Sequence, residues 1–307
     1  MTTAERVGHG AASARAALAG NPSDGYGGAV LAVTLDQFRA RARALPAPTL
    51  NVSPTSELVE ATVRRFARDH NTAAVGTSLQ WETTVPRGVG LGGSSAIVIA
   101  TLRSLCDLYG LELERTELAL LALSIERDDL EIAAGLQDRV AQSFGGLTFM
   151  DFAPGAGYEP LDRELLPPLV VAWRDDSSAH SGVVHGDLRA RFDNGELVVV
   201  DSMARLAGLA REARAALVKG DRAAFMACVG ASFDVRRQMM DLDERHVAMI
   251  ECARACGAGA NYTGSGGAIA AACHDDAHLA EVTAALRELG CGTAPTGASG
   301  GAAKPEA

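Results

Sequence analysis

Two α+β domains of similar size are what this sequence predicts. Three observations lead there. Segments with strand and helix patterning alternate along the chain, and no internal repeat divides it. Its 307 residues are enough for one large domain or two ordinary ones, each with a full core. The loop "APGAGYEP" has the proline and glycine composition of a crossing between folded units, so the division is placed at 155, giving domains 1–155 and 156–307.

In chain order, "ARAALAGNPSDGYGGAVLAVTL" reads as a strand, a glycine-rich turn and a second strand. Residues 54–70 carry Leu58, Val59, Val63 and Phe66 at helical spacing behind a proline and a Thr/Ser cap, which predicts a helix. The segment 80–85, "QWETTV", is β-prone, and Trp81 on it is expected in the core. A helix is predicted from Ser94 to Tyr109 and another over 114–132. Strands follow at 144–152, 169–174 and 267–273, with helices at 202–217, 221–240, 244–256 and 277–289. The tail "TAPTGASGGAAKPEA" is built of small residues and is expected to fray.

Composition excludes several classes of function. Hydrophobic residues make up 48% and charged residues 21%, as in ordinary globular proteins. No apolar run is long enough to span a bilayer, and "MTTAERVGHG" lacks the pattern of a secretory signal, so a cytoplasmic protein is expected. The net charge of −10 argues against nucleic acid and anionic membrane surfaces as partners. Lys219 and Lys304 are the only lysines, so any phosphate must be met by arginine, backbone N–H groups or a metal ion. Cys252 and Cys256 are four apart, as are His274 and His278, but neither pair has a zinc-motif context, and reduced thiols with surface histidines are the expectation.

The most informative stretch is "VPRGVGLGGSSAIVIATL", residues 85–102. Glycines at 88, 90, 92 and 93 let the backbone approach a ligand, and the helix behind them exposes unpaired N–H groups in its first turn. That combination is an anion site. The lysine of a Walker loop is missing, and no acidic ribose partner follows as in a dinucleotide fingerprint. On its own the stretch favours a phosphate site only slightly over a glycine turn before a packed helix.

Three further segments narrow it. "PRGVGLGGSSA" resembles the second motif of the GHMP kinases, "ASARAALAGNPSDGYGG" (12–28) their first motif, and "GANYTGSGGAIAAAC" (259–273) their third. "GLQDRV" (135–140) stands where the family keeps its catalytic Asp, and all four occur in family order. "LAGNPSDGYGG" and "AAGLQDRVAQSFGGLTFMDF" are most similar to the glucuronokinase branch. The resemblance implies an N-terminal ribosomal S5 domain 2-like domain that binds ATP, a C-terminal ferredoxin-like α/β sandwich, and an active site in the cleft between them. It implies ATP and Mg2+ as cofactors and a small-molecule uronic acid as acceptor, D-glucuronate becoming glucuronate 1-phosphate. The alternatives are another sugar or small alcohol (galacturonate, galactose, a heptose, a mevalonate-like acid) or a ligand-binding homologue without catalysis. A monomer or homodimer is expected.

The same resemblance assigns roles. Asp138 matches the catalytic Asp that takes or orients the acceptor proton, and Arg15 matches the basic residue beside it, which keeps the carboxylate ionised and offsets phosphoryl charge. Pro86, Gly88, Gly90, Leu91, Gly92, Gly93, Ser94, Ser95 and Ala96 form the nucleotide loop. Gly264, Ser265 and Gly266, with Gly267, form a second loop that closes on the phosphates. Asp24 matches the acidic residue that holds sugar hydroxyls, Asn21 stands where galactokinases have Glu, and Thr263 lines the same site. Glu126 lies twelve residues before Asp138, the spacing of the magnesium-binding Glu in galactokinases, and pairs with Ser94 as metal ligand. Arg87 sits in the nucleotide loop, facing phosphate or solvent. Ser181, Gly182 and His185 are weaker substrate contacts, and Arg139, Arg174 or Arg189 is available to a substrate carboxylate, with a surface position the expectation for all three.

Overall fold

The computed structural model describes residues 6–174 and 188–296. Contacts divide them into two units. The first contains Thr34–Pro86, Gly92–Gly145 and the described residues up to Arg15; the second contains Ala16–Val33, Arg87–Leu91 and the described residues from Gly146 onward. The strands β1 (Gly8–Ala19) and β2 (Ala29–Pro46) each give part of their length to both units.

In the first unit, β2 pairs antiparallel with β4 (Thr77–Thr83), and β3 (Asn51–Ser53) adds to β4 in parallel. Alternation decides the faces: Ala40, Ala42 and Ala44 of β2 turn inward, while Arg41 and Arg43 are exposed. Small strand residues let two helices pack closely. Helix α1 (Glu57–Asp69) starts at Ser56, whose hydroxyl accepts the Val59 N–H at 3.4 Å, and buries Val59, Val63 and Phe66. Helix α2 (Gly93–Tyr109) is apolar on most of its surface, buries Val98, Ile99, Leu102 and Leu105 in the same core, and ends on Gly110 in the left-handed conformation. Trp81 packs on this core with its indole N–H on the Pro54 carbonyl.

Helix α3 (Arg115–Ser124) is shorter than predicted. It passes into a π-helical turn, Ile125–Asp129, and the chain leaves helical geometry before α4 (Leu136–Phe144). The expected continuous helix to 132 is therefore corrected: the wider π turn re-aims Glu126, and sequence periodicity carries no mark of such a turn.

In the second unit, the beginning of β2 pairs with β5 (Leu147–Asp151), which forms a hairpin with β6 (Tyr158–Leu161). The proline- and glycine-rich loop expected to cross between units is thus a hairpin connection, with Gly155 at positive φ. Farther on, β7 (Leu169–Trp173), β8 (Gly259–Tyr262), β9 (Ala268–Ala272) and β10 (Gly292–Thr296) form a four-stranded antiparallel sheet in the order β10-β7-β9-β8. Helices α5 (Leu197–Lys219), α6 (Arg222–Met239) and α7 (Glu244–Ala255) lie between β7 and β8 in sequence, and α8 (Asp276–Glu288) between β9 and β10. This split β-α-β arrangement is the ferredoxin-like sandwich. Its core gathers Val170, Phe233, Ile250, Tyr262, Ile269, Val282 and Leu286. The start of the tail does not fray: 292–296 is an edge strand on β7, with Ala294 and Thr296 turned inward. Residues 297–307 lie outside the described residues.

Among the described residues no helix is long and apolar enough to cross a membrane. Phe66 is fully buried at the centre of the first core. Phe66→Ala is expected to lower unfolding stability by about 3–5 kcal/mol. Urea titration should show a lower midpoint at unchanged slope, and an unchanged midpoint would contradict this packing.

Candidate active site

Arg15 and Asp138 meet in the first unit. Arg15 is on β1 and 4% exposed; Asp138 is in the first turn of α4, where the helix N-terminus favours a carboxylate. Arg15 Nε donates to Asp138 Oδ1 at 2.7 Å, and a second guanidinium nitrogen lies 2.7 Å from Oδ2. Two parallel contacts of this kind fix direction as well as distance.

Two neighbours hold that geometry. Gln142, one turn beyond Asp138 on α4, donates through Nε2 to the Ser13 carbonyl on β1 at 3.0 Å and to the Gly92 carbonyl at 2.8 Å. Arg103 of α2 donates to the Ala11 carbonyl on β1 and to the Gln142 and Ser143 carbonyls at the end of α4. Strand, helix and glycine loop are therefore tied together through backbone carbonyls. Gly92 has φ +72, and a Cβ on it would stand 3.0 Å from Gln142 Nε2 and 3.3 Å from Arg15 Cγ. A side chain there would strain the backbone and crowd both neighbours.

The loop continues into α2, whose first turn has no side-chain cap. Its amide donors therefore remain available to an anion. Ser94 is exposed in that turn, whereas Ser95 is buried and gives its hydroxyl to the Gly92 carbonyl at 3.1 Å. Gly93 and Ala96 belong to the same turn, and the Ala96 N–H closes it on Gly92. Pro86 is half-buried and Arg87 exposed.

Arg139 differs from the expected surface position. It is 3% exposed and gives Nε and Nη2 to Glu126 Oε2, with Nη1 on the Gly135 carbonyl at 2.7 Å and 3.8 Å from Asp138 Oδ2. Glu126 is fully buried, and its Oε1 has no hydrogen-bond partner among the described residues. The reason is the π turn, which directs Glu126 inward while Asp128 and Asp129 are not buried with it. Asp129 pairs instead with Arg65 and Arg68.

The second unit assembles the other motif residues. Gly90 has φ +74, and a Cβ on it would lie 2.8 Å from the Gly266 carbonyl and 3.1 Å from Ser265 N, so the two glycine loops touch there backbone to backbone. The Thr263 hydroxyl lies 3.2 Å from both the Gly90 and Ala268 carbonyls, and Leu91 is buried. Asn21 is buried, and its Oδ1 accepts from Arg236 Nη1 at 2.5 Å; Arg236 Nη2 donates to the Gly264 carbonyl at 2.8 Å. Asp24 lies half-buried in the short turn Ser23–Tyr26.

Arg189 pairs with Asp193, lies over the Tyr26 ring, and reaches the Gly25 carbonyl at 3.4 Å. The Arg174 backbone N–H donates to Gly267. Ser181, Gly182 and His185 lie outside the described residues.

Gln142, Arg103 and Arg236 were not found by motif. Gln142 shares a helix face with Asp138 at i+4, and Arg236 falls on the buried stripe of α6 with Ser232 and Phe233, so helical spacing carried a signal for both. The six cysteines are free thiols, and burial pushes Cys106 up to about 11 and Cys273 up to about 12. Among the described residues no cluster of three or more His, Cys, Asp or Glu side chains is placed to hold a metal unaided.

Removing one partner of a buried ion pair strands the other charge, which costs about 3–5 kcal/mol. Arg139→Met is therefore expected to destabilise the protein by that amount. Adding Glu126→Gln should recover part of the loss; a single variant as stable as the parent would contradict the pairing.

Comparison with known proteins shows the family of the chain. The family described as GHMP kinases N terminal domain matches residues 57–146, and GHMP kinases C terminal matches 213–290. Glucuronokinase 1 of Arabidopsis thaliana is 34% identical over 85% of this chain and 83% of its own length. Probable glucuronokinase 2 of the same plant is 35% identical, over 85% and 82%. Among solved structures, Lactococcus lactis galactokinase complexed with galactose superposes with a TM-score of 0.79, at 18% identity over 95% of this chain and 93% of that one. Mevalonate kinase of L. major in complex with R-mevalonate gives 0.76, at 18% identity over 94% and 93%. The chain belongs to the GHMP kinase family of phosphotransferases.

Proposed function

We propose that this kinase uses ATP to phosphorylate the anomeric hydroxyl of D-glucuronate, giving glucuronate 1-phosphate and ADP. The observation that carries the reading is the Arg15–Asp138 pair standing directly against Gly92 of the nucleotide loop. A proton acceptor, a cation and a phosphate-binding backbone are thereby gathered in one place. Similarity to two plant glucuronokinases along most of the chain supports the choice of acceptor.

In this reading the N-terminal part of the chain binds ATP. The backbone N–H groups from Gly88 to Ala96 meet the phosphates, with Pro86 fixing the entry to the loop and Gly264, Ser265 and Gly266 supporting it. Asn21, Asp24 and Thr263 hold the sugar. Asp138 accepts the hydroxyl proton as the oxygen bonds to the γ-phosphorus and the bond to ADP breaks. Arg15 keeps the carboxylate aimed and offsets charge on the transferring phosphoryl group.

An Mg2+ ion arriving with ATP fits the chain by donor chemistry. Glu126 Oε1 is a buried oxygen with no hydrogen-bond partner among the described residues, the Ser94 hydroxyl is exposed at the helix N-terminus, and hard oxygen donors are what this ion takes. Glu126 and Ser94 would hold it together with ATP oxygens, and bound there it supplies charge neutralisation for the phosphates.

A coupled ADP-release assay on a sugar panel tests the proposal. Turnover of glucuronate well above glucose, galactose and galacturonate is the expected result, and turnover of none of them would overturn it. Asp138→Asn should lower kcat by roughly 10²-fold or more while ATP still binds. An unchanged kcat would remove Asp138 from its role.

A further inference from the structure

Two arginines and two carboxylates at the start of α4 cancel one another's charge. Arg15 pairs with Asp138, and Arg139 gives Nε and Nη2 to Glu126 Oε2. The pairs adjoin, since Arg139 Nη1 lies 3.8 Å from Asp138 Oδ2. The second pair is the deeper one, with Glu126 fully buried and Arg139 nearly so. Each partner is also held from its own side. Arg139 Nη1 donates to the Gly135 carbonyl at 2.7 Å, and the Ile132 N–H closes the π turn on the Glu126 backbone carbonyl at 2.7 Å. The carboxylate is thereby oriented. One guanidinium takes Oε2 twice, and Oε1 is buried with no hydrogen-bond partner among the described residues.

We infer that Arg139 is a positioning residue that aims Glu126 at the metal and keeps the carboxylate from holding a divalent ion until the nucleotide is present. The inference rests on the proposed role of Glu126 as a ligand of the ion that accompanies ATP, and adds the residue that controls it. A divalent ion at Oε1 shares its carboxylate with a fixed guanidinium. Because the cluster is neutral beforehand, the ion alone leaves two uncompensated positive charges around a fully buried side chain, which is unfavourable. The affinity of a hard-ion site follows the charge of its ligands, and one carboxylate already neutralised supplies little. Neighbouring acids do not make up the difference. Asp129 of the same π turn is bound by Arg65 and Arg68, and among the described residues no cluster of three or more His, Cys, Asp or Glu side chains is placed to hold a metal. The triphosphate brings the missing negative charge, so ion and nucleotide are taken up together.

The test uses Mn2+, which takes the same hard oxygen donors as Mg2+. Electron paramagnetic resonance of free Mn2+ measures binding of the ion alone to the full chain, and calorimetry measures ATP affinity with and without it, no acceptor sugar being added. The parent is expected to bind Mn2+ alone weakly and to bind ATP more tightly when Mn2+ is present. Arg139→Gln removes the charge and keeps an N–H donor for Glu126. It should bind Mn2+ alone roughly 10–100-fold more tightly than the parent and gain more in Tm from the ion. Arg139→Lys retains the charge and should stay as weak as the parent. A purely structural role would lower the stability of both variants without creating affinity for a bare ion. No gain in Arg139→Gln, or an equal gain in Arg139→Lys, overturns the inference. So does roughly micromolar binding of Mn2+ alone by the parent, an outcome that needs no variant to fold. Glu126→Gln tests the reading underneath: it should lose most of the ATP affinity that Mn2+ adds. An undiminished effect of Mn2+ in that variant removes Glu126 from the metal, and the role of Arg139 with it.

Discussion

The Arg15–Asp138 ion pair is the interaction on which the rest of the site depends. It joins residues 123 apart in sequence, and it forms only if β1 and α4 pack against one another. The molecule spends several side chains on that placement. Gln142 bonds α4 to β1 and to the glycine loop, Arg103 bonds carbonyls of β1 and α4, and Arg139 anchors the start of α4 on buried Glu126. Most of these bonds end on backbone carbonyls, so they fix the path of the chain and leave Arg15 and Asp138 to be positioned by it.

Glycine does the complementary work, by allowing approach. At Gly92 the absent side chain makes room for Arg15 and Gln142, and at Gly90 it lets one glycine loop lie on the other. Both residues have positive φ, so a substitution meets backbone strain, joined at Gly90 by a clash with the Gly266 carbonyl. The small residues that looked merely permissive in the sequence are packing surfaces in the fold.

Much of this was legible in the sequence, for physical reasons. Helix α2 was readable at both ends because a glycine loop precedes it and Gly110 caps it. The motif residues Arg15, Asn21, Asp138 and Gly264 stand in contacts that link the motifs to one another or to buried partners. What was not legible depends on tertiary context. Strand β10 looks like a small-residue tail because its pairing is supplied by β7. The π turn at 125–129 leaves no periodic signature, so the pairing of Glu126 with Arg139 was hidden among neighbouring charges. Arg236 is buried on a helix face that spacing alone would have marked, but a charged residue there is not ordinarily read as core.

The central claim is that Arg15 and Asp138 act as one unit in phosphoryl transfer. A double-mutant cycle on kcat/KM with Arg15→Met and Asp138→Asn tests it most directly. Residues that work as a unit lose their effect together, so the double variant should be no more than a few-fold slower than Asp138→Asn alone. Losses that simply multiply would mean that the two side chains contribute independently, and would contradict the account.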